Sequence, residues 1–164
     1  VPSSMLSSVS ALGAQNFGAG KPERAVETLK YAIMIAVGFG LTVAVVIQFA
    51  ADPVVSLFTD NGTVIHSGGQ YLRGYIWDCV FAGIHFSFSG YFCACQKSGL
   101  SFLHNITAIV LVRVPGVYLM SKLFSDTLYF MGLATAAGSL LSVIICVIAF
   151  TILLKKEREN KAFR

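Results

Sequence analysis

The chain has 164 residues, of which 55% are hydrophobic and only 12% charged, and its mean hydropathy is +0.73. Soluble proteins carry about 25% charged residues, so this composition excludes a soluble enzyme or binding module and predicts an integral membrane protein. The formal net charge of +4 does not point to nucleic acid, because that partner needs a basic face on a soluble module.

Residues 1–13 are apolar but too few to cross a bilayer. They read as the end of a helix, and the chain as the C-terminal portion of something larger. No basic start, short apolar core and cleavage site mark a signal peptide. The stretch GAQNFGAGKPERA follows at 13–25. It is not a P-loop, which needs G-x-x-x-x-G-K-[ST]. Gln15 stands where the first glycine should be, and Pro22 stands where Ser or Thr should be. A G-x-G-x-x-G also fails, because Glu23 takes the place of the third glycine. Turn chemistry accounts for part of the stretch. Gly18 or Gly20 ends one helix in a left-handed turn, and Pro22 begins the next. Gln15 and Asn16 are left without a role by that reading.

Four spans are predicted after this corner, at about 25–51, 71–95, 102–121 and 127–154. Each satisfies the requirement for about 20 predominantly apolar residues. Residues 31–51 and 127–154 contain no Asp, Glu, Lys or Arg at all. Asp52-Pro53 is expected to stop the first span, and Gly68-Gly69 to belong to the link before the second. Gln96-Lys97-Ser98-Gly99 makes a tight corner, and Pro115 is expected to kink the third span. Residues 155–164 form a basic tail. The opening corner, the Lys97 corner and the tail share one side and hold nine of the Lys and Arg residues, against two, Arg73 and Lys122, on the other. That bias predicts a multi-pass cell-membrane protein with the corner and the C-terminal tail in the cytoplasm. The basic tail could also meet anionic membrane lipid.

Small residues recur four apart, as in Gly38-Thr42, Gly40-Ala44 and Ala134-Gly138-Ser142, which suits close helix packing. Cys79, Cys93, Cys95 and Cys146 lie in apolar runs without a ligating partner at zinc-site spacing, so they read as small core residues and no metal site is expected.

Ionisable residues inside spans are the functional lead, since each costs several kcal/mol unless paired or hydrated. Three lie deep: Asp78, His85 and Arg113. Counted from Gly68, Asp78 is roughly 15 Å into its span; counted from Lys122, Arg113 is roughly 13 Å into its own. Opposite charges at similar depth on neighbouring spans can form a fixed ion pair or serve proton or cation coupling. Arg113 could instead snorkel outward. His85 and Ser89 continue the face of Asp78 and could line a hydrated passage, although His85 also suits hydrogen-bonded packing. There is no H-E-x-x-H and no G-x-S-x-G, so soluble-type catalysis is not expected and the protein is not read as an enzyme.

SSVSALGAQNFGAGKPERA resembles the recurring corner Gln-Asn-x-Gly-Ala-Gly-x-x-x-Arg-Ala of the multidrug and toxic compound extrusion (MATE) transporters, with Gln15, Asn16, Gly18, Gly20 and Arg24 in place. SFSGYFCACQKSG is similar to that family's corner after its tenth helix, with Ala94 and Gln96 where glycines are usual. VRVPGVYLM is similar to the eleventh-helix segment of DinF-like members. The resemblance implies an all-α polytopic fold over residues 1–154, in which the end of helix 8 and helices 9 to 12 form part of a C-terminal lobe. It implies a secondary antiporter that exports cationic or amphipathic small molecules in exchange for sodium ions or protons, with no other cofactor. A partner N-terminal lobe is implied as well. Some members couple cations through a tenth-helix aspartate, which by this count falls near Ala82, one turn from Asp78. Tyr75, Trp77 and Phe81 are expected substrate contacts through cation–π attraction. The alternatives are a lipid-linked sugar flippase of the same superfamily, or a small self-associating membrane protein without transport activity.

Overall fold

The computed structural model describes the backbone of residues 1–162 and the side chains as far as Lys156. The side chains of Arg158 and Lys161, and the whole of Arg164, lie outside what is described. The described residues are all-helical: α1 (Pro2–Gly18), α2 (Pro22–Ser56), α3 (Gly62–Ala94), α4 (Ser98–Ala108), a π-helical turn (Ile109–Arg113), α5 (Val114–Leu123) and α6 (Tyr129–Ala162).

The opening corner folds as its glycines and proline dictate. Gly20 takes φ +70°. Its N–H bonds the carbonyl of Phe17 at 3.0 Å, and the N–H of Lys21 reaches back to Asn16 at 2.9 Å. This pair of bonds satisfies carbonyls that the end of a helix otherwise leaves open. Pro22 then occupies the first turn of α2. The second corner repeats the pattern. Gln96 takes φ +58°, its N–H bonds Cys93 at 3.0 Å, and the N–H of Lys97 bonds Phe92 at 2.8 Å. A glutamine thus sits where the backbone asks for glycine.

Two expected boundaries move. α2 continues through Pro53 to Ser56, and α3 begins at Gly62 rather than near Tyr71. Asn61 caps α3, its side-chain oxygen accepting from the N–H groups of Thr63 at 3.0 Å and Val64 at 3.4 Å. Gly68 and Gly69 are therefore helical. Their role is contact: a Cβ on Gly69 would collide with the Asp52 carboxylate, and one on Gly68 would press Val55 at 3.0 Å.

Pro115 lacks the N–H that would close its helical turn and crowds the carbonyl four residues before it. The residues before it form the π turn, and the predicted third span is continuously helical from Ser98 to Leu123.

α3 lies at the centre and packs against α1, α2, α4 and α6. Leu29, Phe88, Tyr91 and Phe92 form part of one apolar cluster, and Ala44, Ile76 and Val80 form another. A Cβ on Gly40 would lie 3.1 Å from the backbone of Val80, as the small-residue spacing predicts, whereas Gly38 faces open space. α3 and α6 meet backbone to backbone. A Cβ on Gly132 would lie 2.5 Å from the Tyr71 carbonyl oxygen, and one on Gly74 would strike the carbonyl of Tyr129.

Among the described residues, three helices are long and apolar enough to cross a membrane: Pro22–Ser56, Ser98–Leu123 and Tyr129–Lys156. α3 has the length, at 33 residues, but not the apolarity. Asp78, His85, Ser87 and Ser89 lie along it, and all four are buried. A helix enclosed by other helices can carry such residues because its neighbours, not lipid, are its solvent. The outer helices show the converse, with Phe39, Phe49, Phe102 and Ile152 exposed. The fold is that of an all-α multi-pass membrane protein.

Candidate functional site

Between α3, α4, the π turn and α6 lies a cavity of about 380 Å³. Its polar wall includes Tyr75, Asp78, His85, Asn105, Arg113 and Ser139. The three ionisable residues singled out in the sequence are all there.

Asp78 and Arg113 pair, as their matched depths predict. Arg113 Nη2 donates to Asp78 Oδ1 at 2.8 Å. Ser139 Oγ donates to the same Oδ1 at 2.5 Å and accepts from Arg113 Nη2 at 2.8 Å. Three helical segments thus meet in one polar triangle. The Asp78 side chain is only 8% exposed, while Arg113 keeps 34%, so the carboxylate depends on its partners and the guanidinium also meets the cavity. Gly138 admits this arrangement: its Cβ would lie 3.2 Å from that of Arg113.

A second polar group lies beside the first. His104, buried, shares a hydrogen bond of 2.7 Å between Nε2 and Ser89 Oγ, and one of 3.3 Å between Nδ1 and Ser142 Oγ. Ser142 Oγ also donates to the His104 carbonyl at 3.3 Å. With that proton committed, Nδ1–H donates to Ser142, and Nε2 accepts from Ser89. His85 stands edge-on to His104, with ring centroids 5.5 Å apart. Its Nδ1 is buried and has no hydrogen-bond partner. An orphaned buried polar atom costs about 1–3 kcal/mol.

Other expected residues are placed differently. Tyr75 lines the cavity, but Trp77 and Phe81 do not. Trp77 immediately precedes Asp78 and so lies about 100° from it round the helix, and it packs against the Ala44, Ile76 and Val80 cluster towards α2. Ser89 does not line the cavity: it is buried and bonds His104. The corner residues lie away from the cavity. Asn16 Nδ2 bonds the Leu12 carbonyl at 2.9 Å, Gly20 supplies the turn, and Gln15 and Arg24 are exposed.

Two features were missed in the sequence. His104 stands just inside the predicted start of its span; its position within a span was the available signal. The other is a second ion pair. Arg73 Nη1 and Nη2 grip Asp52 Oδ1 and Oδ2 at 3.1 and 2.9 Å, and Nε bonds the Gln48 carbonyl at 3.2 Å. The sequence marks Asp52 only as part of a stop and Arg73 only as a charge on the non-cytoplasmic side.

The MatE family model matches residues 1–119. The chain belongs to the MatE family. MatE proteins are transporters rather than enzymes, and a polar cavity between membrane helices suits that class. The matched segment contains Asp78, His85, His104 and Arg113. α6, which supplies Ser139 and Ser142, lies beyond it. Comparisons with curated proteins and with solved structures found no match.

Proposed function

We propose that this MatE chain is the C-terminal part of a DinF-like antiporter, from the end of helix 8 through helix 12. It exports cationic or amphipathic compounds in exchange for sodium ions or protons. In this reading the lobe rocks against an N-terminal lobe, and the corners at Lys21 and Lys97 and the tail face the cytoplasm. The observation that carries it is the Asp78–Arg113–Ser139 triangle, a carboxylate whose partners come from separate helical segments and share a cavity wall. A cation or proton that takes Asp78 from Arg113 changes what joins α3 to the π turn and α6. That is the differential interaction a coupling ion needs to bias one conformation over another. The orphaned Nδ1 of His85 adds a polar atom whose cost a bound group would remove. Tyr75 is the one aromatic of the expected three that reaches the cavity, so it is the substrate contact retained.

Pairing also weighs against the flippase alternative. A lipid-linked phosphate needs a free cation in the cavity, and Arg113 already serves Asp78.

The test is efflux by Asp78→Asn in the full-length protein. The proposal expects loss of cation-dependent export. Unchanged efflux with unchanged cation dependence would reduce Asp78 to a structural partner of Arg113.

A further inference from the structure

A groove of about 860 Å³ runs between α4 and the later part of α6, outside the polar cavity. Its walls are apolar, and Leu103, Ile148 and Ile152 are 54%, 54% and 61% exposed. From Ile145 to Lys156 the α6 wall rises about 16 Å at the helical repeat. That is about half the ~30 Å hydrocarbon core of a bilayer, the depth of a single leaflet. The groove ends in two lysines. Lys97 precedes the first residue of α4, and Lys156 lies late in the antiparallel α6, so both ammonium groups mark the same end. Among the described residues neither forms an ion pair, and no acidic side chain lines the groove. Gly99, next to Lys97, has nothing within 4 Å of where a Cβ would be, which leaves space at that end.

We propose that this groove is a binding site for an anionic phospholipid. One acyl chain lies along Leu103, Ile148 and Ile152, and the phosphate sits between Lys97 and Lys156. Length and charge both select this occupant. A neutral lipid would use the apolar wall but not the lysines. A helix from a second copy of the chain would cover the wall and leave both ammonium groups at the hydrocarbon edge without a counter-charge. The inference rests on the membrane fold and not on the transport reading, so failure of one leaves the other standing.

Native mass spectrometry of the purified protein, from micelles doped with equal phosphatidylglycerol and phosphatidylcholine, tests it. Basic side chains near a membrane surface each contribute about 1 kcal/mol towards anionic lipid, so two lysines predict roughly thirtyfold preferential retention of phosphatidylglycerol. Lys97→Gln with Lys156→Gln should erase that preference, while Lys122→Gln should not. Ile148→Trp, which fills the groove without touching the charges, should lower retention of both lipids. Equal retention of the two lipids by the unaltered protein would overturn the proposal. So would undiminished phosphatidylglycerol preference in the double lysine variant, or a dimer that excludes lipid and is abolished by Ile148→Trp.

Discussion

Two arginine–aspartate pairs hold α3 in place, and they are built differently. Near the start of α3, Arg73 grips both oxygens of Asp52, and its backbone carbonyl accepts from Gln48 Nε2 at 3.1 Å while its Nε reaches Gln48 in return. This clamp joins only α2 and α3, and both side chains remain partly exposed, at 27% and 42%. Near the middle, Arg113 reaches a single oxygen of Asp78, and Ser139 must supply the second bond to that same oxygen. The outer pair is saturated and bidentate, a geometry that fixes register. The inner pair has the less exposed carboxylate, involves three helical segments and borders a cavity. The first suits a fastener; the second has a state to change to.

Separating α3 from α6 should break the inner site and spare the outer clamp. Gly132→Leu forces a side chain against the backbone of Tyr71 and Tyr75 and should cost about 3 kcal/mol in denaturant unfolding, the upper range for overpacking. Double-mutant cycles should then distinguish the pairs. Alanine at Asp78 and Arg113 should give a coupling energy of about 2–3 kcal/mol, at or below the low end for buried pairs because Arg113 is partly exposed. Alanine at Asp52 and Arg73 should give at most about 1 kcal/mol, as partly exposed pairs do. Ser139→Ala removes a donor to Asp78 and an acceptor for Arg113 at once, and should cost about 1.5 kcal/mol in the same assay. Equal coupling at the two sites would erase the distinction between fastener and switch.

The corners offer the smallest effect, with the opposite sign. Gln96 holds a left-handed backbone that its counterpart Gly20 adopts freely. Gln96→Gly should stabilise the protein by about 1 kcal/mol, the cost of that conformation for a residue with a Cβ. A loss of stability would mean that the glutamine side chain contributes contacts exceeding its backbone cost.

The membrane fold was legible because periodicity and charge-free length are local properties. Pro22 and Gly20 gave the first corner for the same reason. Depth counting brought Asp78 and Arg113 together because both spans are regular enough for rise per residue to measure height. What failed was non-local. Gly68-Gly69 look like a link until Asp52 and Val55 are seen against them. Asp52-Pro53 looks like a stop, yet one missing N–H does not end a helix whose last turn is held by Arg73 on α3. Trp77 was assigned to the cavity from residue type, but its place round the helix sends it towards α2. His104 acquires meaning only from Ser89 and Ser142, which come from two other helices.

The central claim is that Asp78 is the residue that changes partners during transport, whereas Asp52 is a fastener. Efflux as a function of sodium concentration and pH, measured for Asp78→Asn and Asp52→Asn side by side in the full-length protein, tests it most directly. The account predicts that Asp78→Asn loses cation-dependent export while Asp52→Asn keeps it with little change. Export by Asp78→Asn at the unaltered rate and with the unaltered cation dependence would contradict it.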